Sequence, residues 1–248
     1  MSMNFEDRIA AFSKLVSKAK NIVVFSGAGI STASGIPDFR SANGLYSQKV
    51  EIDGIEFDPE YMLSNTCLAN HPKQFFEYLR EHLYLDDSIK PNIAHQKIAE
   101  WEKLGKDVRV ITMNIDGLHQ AAGSTKVYPI HGTLDVAYCE ECAKDHDPAV
   151  IFESAIPRCE CGGIIRPDVV LYGEGLPNDP WTKANDAIAR GDLLIVVGSS
   201  LTVYPAAMLP LAFVGHIVII NRDATQMDTI ADIVFKEDIA NVFEKVVL

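Results

Sequence analysis

The stretch Ile22-Val23-Val24-Phe25-Ser26-Gly27-Ala28-Gly29-Ile30-Ser31-Thr32 passes from an unbroken apolar run through a glycine turn into a segment that opens a helix. Four apolar residues in a row, without polar alternation, describe a strand covered on both faces, as in parallel sheets. Working outward, similar runs return at residues 108–112, 193–198 and 217–220, and more weakly at 233–235. Between them lie helical stretches near 93–104, 180–190, 204–213 and 239–247. Residues 4–20 place Phe5, Ile9, Phe12, Leu15 and Val16 on one helical face. Strands alternating with helices predict an α/β fold, a parallel sheet with helices on both faces.

Two segments break the alternation. Residues 41–90 hold turn formers and then a helical stretch from 71 to 83, and residues 137–166 hold four cysteines. Both read as insertions that build a smaller lobe. The large domain is then 1–40, 91–136 and 167–248, and the cleft between lobes is the expected ligand site. Cys139 and Cys142 are spaced C-x2-C, and Cys159 and Cys161 are spaced C-x-C. Four thiolates predict a closed tetrahedral Zn2+ site with no open position, hence a structural metal holding a lobe too small for its own core. The fifth, Cys67, reads as a buried core residue.

The chain has 22 basic and 34 acidic residues, a formal charge of −12, which opposes sequence-independent nucleic-acid binding. Acidic residues around the cysteine knuckles argue the same against a nucleic-acid-binding zinc ribbon. No apolar run approaches the roughly 20 residues that span a bilayer, and no signal-peptide core is present. No membrane partner and a cytoplasmic location are expected, with the chain acting as a monomer.

Gly27-Ala28-Gly29-Ile30-Ser31-Thr32 is not a full dinucleotide fingerprint, because Thr32 stands at the third glycine position. It is either a phosphate site at a helix start or a plain tight turn. Phe39 and Arg40 follow, an aromatic able to cover a planar ring and a cation able to bond phosphate, or else a core ring and an ion pair. Asn114 and Asp116, in Thr112-Met113-Asn114-Ile115-Asp116-Gly117-Leu118-His119, fall on one side of an extended stretch at the end of a strand. The Asp can accept a carboxamide N–H2, although Asn-x-Asp is also a turn pattern. His131, before Gly132, is either a general base or a structural histidine. His119 is expected to orient its neighbours.

Taken together, these motifs resemble the sirtuins, the NAD-dependent protein deacylases, and most closely their compact bacterial type. The resemblance includes the runs Arg166-Pro167-Asp168-Val169-Val170-Leu171-Tyr172-Gly173-Glu174 and Gly198-Ser199-Ser200-Leu201-Thr202-Val203-Tyr204-Pro205-Ala206, and it covers nearly the whole chain in order. It implies a Rossmann-like large domain, a small Zn2+-binding domain and NAD as co-substrate. By position, Ala28, Gly29, Thr32, Phe39, Arg40, Gly198, Ser199, Ser200, Asn221 and Ile239 would contact NAD. Met113, Asn114, Ile115 and Asp116 would surround its nicotinamide and ribose. Val170, Tyr172, Gly173 and Glu174 would form an edge strand pairing with an acetyl-lysine protein or peptide. The implied chemistry is attack of the acyl oxygen on ribose C1′ with loss of nicotinamide. His131 then acts as base on the ribose hydroxyls, Asn114 orders the ribose and water, and the product is O-acetyl-ADP-ribose.

Two departures from the family pattern bear on function. Met113 stands where glutamine is usual, so a ribose hydrogen bond is missing. Phe76 and Leu79 occupy the positions of the Tyr and Arg that serve succinyl- and malonyl-lysine removal, which implies a preference for neutral acyl groups. Competing functions on the same residues are protein mono-ADP-ribosyl transfer and a weakly active NAD-binding module. A hydride-transferring dehydrogenase fits the glycine turn less well.

Overall fold

The computed structural model describes residues 3–38, 49–83 and 88–248. Its centre is a parallel sheet of six strands. They lie side by side in the order Ile233–Phe235, His216–Ile220, Leu193–Val197, Asn21–Ser26, Asp107–Thr112, Val127–Pro129. The winding therefore runs outward in one direction from Asn21–Ser26 and in the other from Leu193–Val197. This is the Rossmann strand order, in which ligands bind beyond the carboxyl ends of the two strands where the winding reverses.

The apolar runs are continuous because successive side chains enter two different cores. Ile22 and Val24 face Phe12, Trp101 and Phe243, carried by the helices Phe5–Lys18, Ile93–Lys103 and Ile239–Lys245. Val23 and Phe25 face Ala184, Ile188 and Leu209 on the opposite side. Phe12 is fully buried, and a side chain of that kind contributes on the order of 1.5–3 kcal/mol. The first helix starts at Phe5 because the Asn4 side chain accepts the Asp7 N–H at 2.9 Å, satisfying an otherwise unpaired donor.

The second lobe is built as two pieces of chain sharing one core. Phe75, Phe76 and Leu79 of the helix Pro72–Leu83 pack in the same cluster as Ala137, Cys139, Ile165 and Leu171. The strand Gly132–Cys139 pairs antiparallel with Ile165–Val169 and with Asp145–His146. Cys67 is buried in that cluster, and burial pushes its thiol up to about 11, so it is inert at neutral pH.

Two elements differ from the sequence reading. The segment after the glycine turn is a 3-10 helix, Ala28–Ser34, and not the start of an α-helix. Ile30 N–H bonds Gly27 O, and the Thr32 hydroxyl bonds Gly29 O at 3.0 Å; these short-range bonds hold the tighter turn. The helix expected over 204–213 shrinks to Met208–Leu211, because Pro205 and Pro210 remove two N–H donors from it. Among the described residues, no helix is long and apolar enough to cross a membrane.

Candidate active site

Gly29 and Gly198 meet back to back where the winding reverses. Gly29 N–H donates to Gly198 O at 2.9 Å, and Gly27 N–H donates to Val197 O at 3.1 Å. A Cβ on Gly198 would lie 2.2 Å from Ile30 N, and Gly198 has φ +61, so no larger residue fits this crossing. The turn is further tied down by Asn92, whose Nδ2 donates to Ile30 O at 2.7 Å and to Ser34 Oγ at 2.9 Å.

A cavity of about 1070 Å3 opens over this crossing. That is at the upper end of the roughly 300–1,000 Å3 of ordinary small-molecule sites, large enough for a dinucleotide and part of a second ligand. One wall carries Ala28, Gly29, Thr32, Gly198, Ser199 and Ser200. Asn221 and Ile239 line it as well, at the ends of two further elements. Met113, Asn114, Ile115 and His131 also face it, as do Val170, Tyr172, Gly173 and Glu174. Phe39 and Arg40 lie outside the described residues.

Asn114 is held by a closed polar triangle. The Ser31 hydroxyl donates to Asp116 Oδ2 at 2.6 Å, and Asn114 Nδ2 donates to Ser31 Oγ at 3.0 Å and to Asp116 Oδ2 at 3.3 Å. The carboxylate fixes which end of the Asn114 amide is N–H2, and Asn114 lines the cavity. Asp116 Oδ1 accepts the Leu118 N–H at 2.9 Å. The Asp116 carboxylate is thus turned onto protein groups, and Asp116 does not line the cavity. Ser31 is the partner that the sequence reading passed over, since nothing in the turn itself signals a bond to a residue so far along the chain.

His131 Nδ1 lies 3.2 Å from Met113 O. A carbonyl only accepts, so Nδ1 carries the proton and Nε2 keeps its lone pair, the tautomer a base requires. Burial lowers the His131 pKa, against the opposing pull of the Met113 carbonyl. Gly132 follows with φ +79, and a Cβ there would lie 1.9 Å from Asp168 O, so His131 is seated by a glycine that lets two strands touch. His119 is buried, with Nε2 3.0 Å from Ser26 Oγ and its ring 4.8 Å from that of His95. Burial lowers both imidazoles, so the pair is neutral packing behind the site.

The edge strand expected at Val170–Glu174 is only partly formed. Regular pairing ends at Val169; Tyr172 N–H donates to Leu63 O, and Tyr172 O accepts from Asn65 N–H in an isolated bridge. The Glu174 carboxylate is taken by Arg166. Outside the cavity, the Sγ atoms of Cys139, Cys142, Cys159 and Cys161 all lie within 4.8 Å of one another, with pairs at 3.5 and 3.7 Å. Four sulfurs about 2.3 Å from one Zn2+ stand about 3.8 Å apart, so the cluster fits a closed zinc site.

A Rossmann sheet with a glycine crossing under a cavity, a neutral histidine on its wall and a four-cysteine lobe beside it define a dinucleotide-using α/β enzyme with a structural metal. The chain belongs to the Sir2 family, whose model matches residues 27–205. An NAD-dependent protein deacetylase of Clostridium acetobutylicum is 46% identical over 97% of this chain and 98% of its own. A solved Sir2 variant with a histidine replaced by alanine, holding deacetylated p53 peptide and 3'-O-acetyl-ADP-ribose, aligns with TM-score 0.87 at 38% identity over 96% of each chain. A Sir2–p53 peptide–NAD+ structure aligns with TM-score 0.84 at 38% identity, over 98% of this chain and 97% of that one.

Proposed function

We propose that this chain is an NAD-dependent protein-lysine deacetylase, and that the observation carrying the reading is the neutral His131 on the wall of a dinucleotide-sized cavity. NAD, when bound, supplies the ribose that takes up the acetyl group as nicotinamide leaves. The protein's own part is positioning and one proton transfer. The glycine crossing admits the phosphates, Asn114 orders the ribose, and His131 Nε2 accepts a ribose hydroxyl proton. The loop 169–175 receives the acetyl-lysine peptide, and four cysteines hold structural Zn2+ away from the chemistry. Mass spectrometry with NAD and an acetyl-lysine peptide tests this. Nicotinamide, deacetylated peptide and O-acetyl-ADP-ribose are expected in equal amounts; a mass gain on a protein with the peptide unchanged would mean ADP-ribosyl transfer instead.

Met113 lines the cavity and rests partly against the core. Exchange for glutamine restores a donor and acceptor, and one hydrogen bond of about 1 kcal/mol corresponds to roughly fivefold. Met113→Gln is therefore expected to raise kcat/KM for NAD several-fold. An unchanged or lower value in steady-state assays counts against a ribose contact at this position.

Acyl choice follows from the apolar end of the cavity, where Leu63, Leu79 and Leu83 form the lining. Phe76 is buried beside them, and Arg80 is turned away, donating to Ile151 O and Ser154 O. Beside these leucines an anionic acyl group would lose its water, and Arg80, the cation of the helix Pro72–Leu83 nearest to them among the described residues, is turned away. Deacetylation is expected to exceed desuccinylation of the same peptide by at least about 100-fold; comparable rates would show that another cation reaches the pocket.

A further inference from the structure

Arg166 is a guanidinium only 2% exposed, on the strand Ile165–Val169. A buried charge persists only when it is paired and its hydrogen bonds are satisfied. Its shortest bonds all run toward the peptide side of the cavity. Nη1 donates to Glu174 Oε1 at 2.5 Å, while Nη2 donates to Glu174 Oε2 at 3.1 Å and to Val169 O at 2.6 Å. Glu140 Oε1 is a more distant acceptor, 3.4 Å from Nη1. Tyr138 lies under the guanidinium, 5.9 Å from ring centre to Cζ. Burial would raise the Glu174 carboxyl, but the Arg166 and Leu171 hydrogen bonds and the guanidinium charge hold it below the usual range.

The carboxylate also closes its own loop. Leu171 N–H donates to Glu174 Oε2 at 2.8 Å, and Glu174 N–H donates back to Leu171 O at 3.0 Å. At its start the loop is pinned by Val170 N–H on His131 O at 2.9 Å, and at Tyr172 by Leu63 and Asn65. Beyond those anchors its charged fastening is the Arg166–Glu174 pair. The loop lines the cavity from Val169 to Leu176.

We propose that Arg166 and Glu174 are positioning residues that hold the Val169–Gly175 loop in the shape that receives the acyl-lysine peptide, so that they govern affinity for peptide and not for NAD. The inference rests on the deacetylase reading. A bidentate guanidinium–carboxylate pair fixes orientation as well as distance, which suits a loop whose backbone is to meet another backbone. Removing the carboxylate leaves the Leu171 N–H and the buried guanidinium without their main acceptor, and the turn has no reason to keep its shape.

The test compares wild type, Glu174→Ala and Glu174→Gln as intact zinc-loaded proteins. Peptide affinity is read by fluorescence anisotropy of a labelled acetyl-lysine peptide, beside KM for peptide and for NAD. Glu174→Ala is expected to weaken peptide binding and raise peptide KM about tenfold or more, with NAD KM moving less than about twofold. Glu174→Gln, which keeps an acceptor for Leu171 and the shape of the side chain, is expected to recover part of the loss. Peptide affinity within twofold of wild type in folded Glu174→Ala overturns the proposal, as does an equal rise in both KM values. Should Glu174→Ala fail to fold, the glutamine variant decides alone: wild-type peptide affinity overturns the proposal, and a selective loss supports it. A wild type that consumes no acetyl-peptide removes the deacetylase reading and this inference with it, and that result appears before any substitution is compared.

Discussion

Replacing His131 with alanine is expected to lower kcat/KM for the acetyl-lysine peptide by about a hundred- to ten-thousand-fold, the range of a single positioned base. The side chain sits on the cavity wall with Nδ1 committed to Met113 O, so alanine removes the Nε2 lone pair and leaves the strand pairing around Gly132 intact. Because burial lowers its pKa below the ordinary value of about 6.5, His131 is unprotonated through the neutral range. The sign follows from that direction. With His131 as the base the active form is the neutral one, so kcat/KM is level on the alkaline side of the lowered folded value and declines as pH falls through it. The alanine variant should lose this acid limb along with the rate. If residual turnover kept the same limb, another group would be the base.

Removing the metal is expected to have an effect of similar size through a different route. Cys139 and Cys159 are buried in the cluster that also contains Leu171, Ile165 and Phe75. Without a cation, four sulfurs within 4.8 Å of one another cannot all remain thiolates, and the knuckles lose what closes them. Structural zinc is worth on the order of 10 kcal/mol in isolated modules; shared with a larger core, several kcal/mol is the expected loss here. Cys142→Ser, or a strong chelator with gentle heating, should lower the unfolding temperature, release bound zinc and abolish peptide binding. NAD binding should suffer less, because the glycine crossing belongs to the main sheet. A metal-free protein with unchanged melting and peptide affinity would refute the structural assignment.

The central sheet was legible because each buried parallel strand is a continuous apolar run, so residues 22–25, 193–197 and 217–220 announce themselves. Strand order was not legible as such, since it depends on crossovers that no local pattern encodes. The zinc cysteines were legible from spacing alone, because metal chemistry constrains neighbours in sequence. The Ser31–Asn114–Asp116 triangle and the His95–His119 pair were not, for they join residues that only the folded sheet brings together. Glu174 shows a subtler limit. The run through it was read as a substrate edge, yet its carboxylate faces inward to a buried Arg166 whose burial no neighbour in the sequence foretells. At 204–213 the apolar spacing suggested a helix, and two prolines decided otherwise.

The strand Gly132–Cys139 begins beside His131 and ends on a metal ligand. At about 3.3 Å per residue it is a rod some 26 Å long, irregular in register between Gly132 and Ala137. A strand with His131 at one tip and the cysteine clamp at the other ties the two ends of the small lobe together. A reagent that strips the clamp would therefore act from outside the cavity, disturbing the peptide side first and, through this strand, the seat of His131.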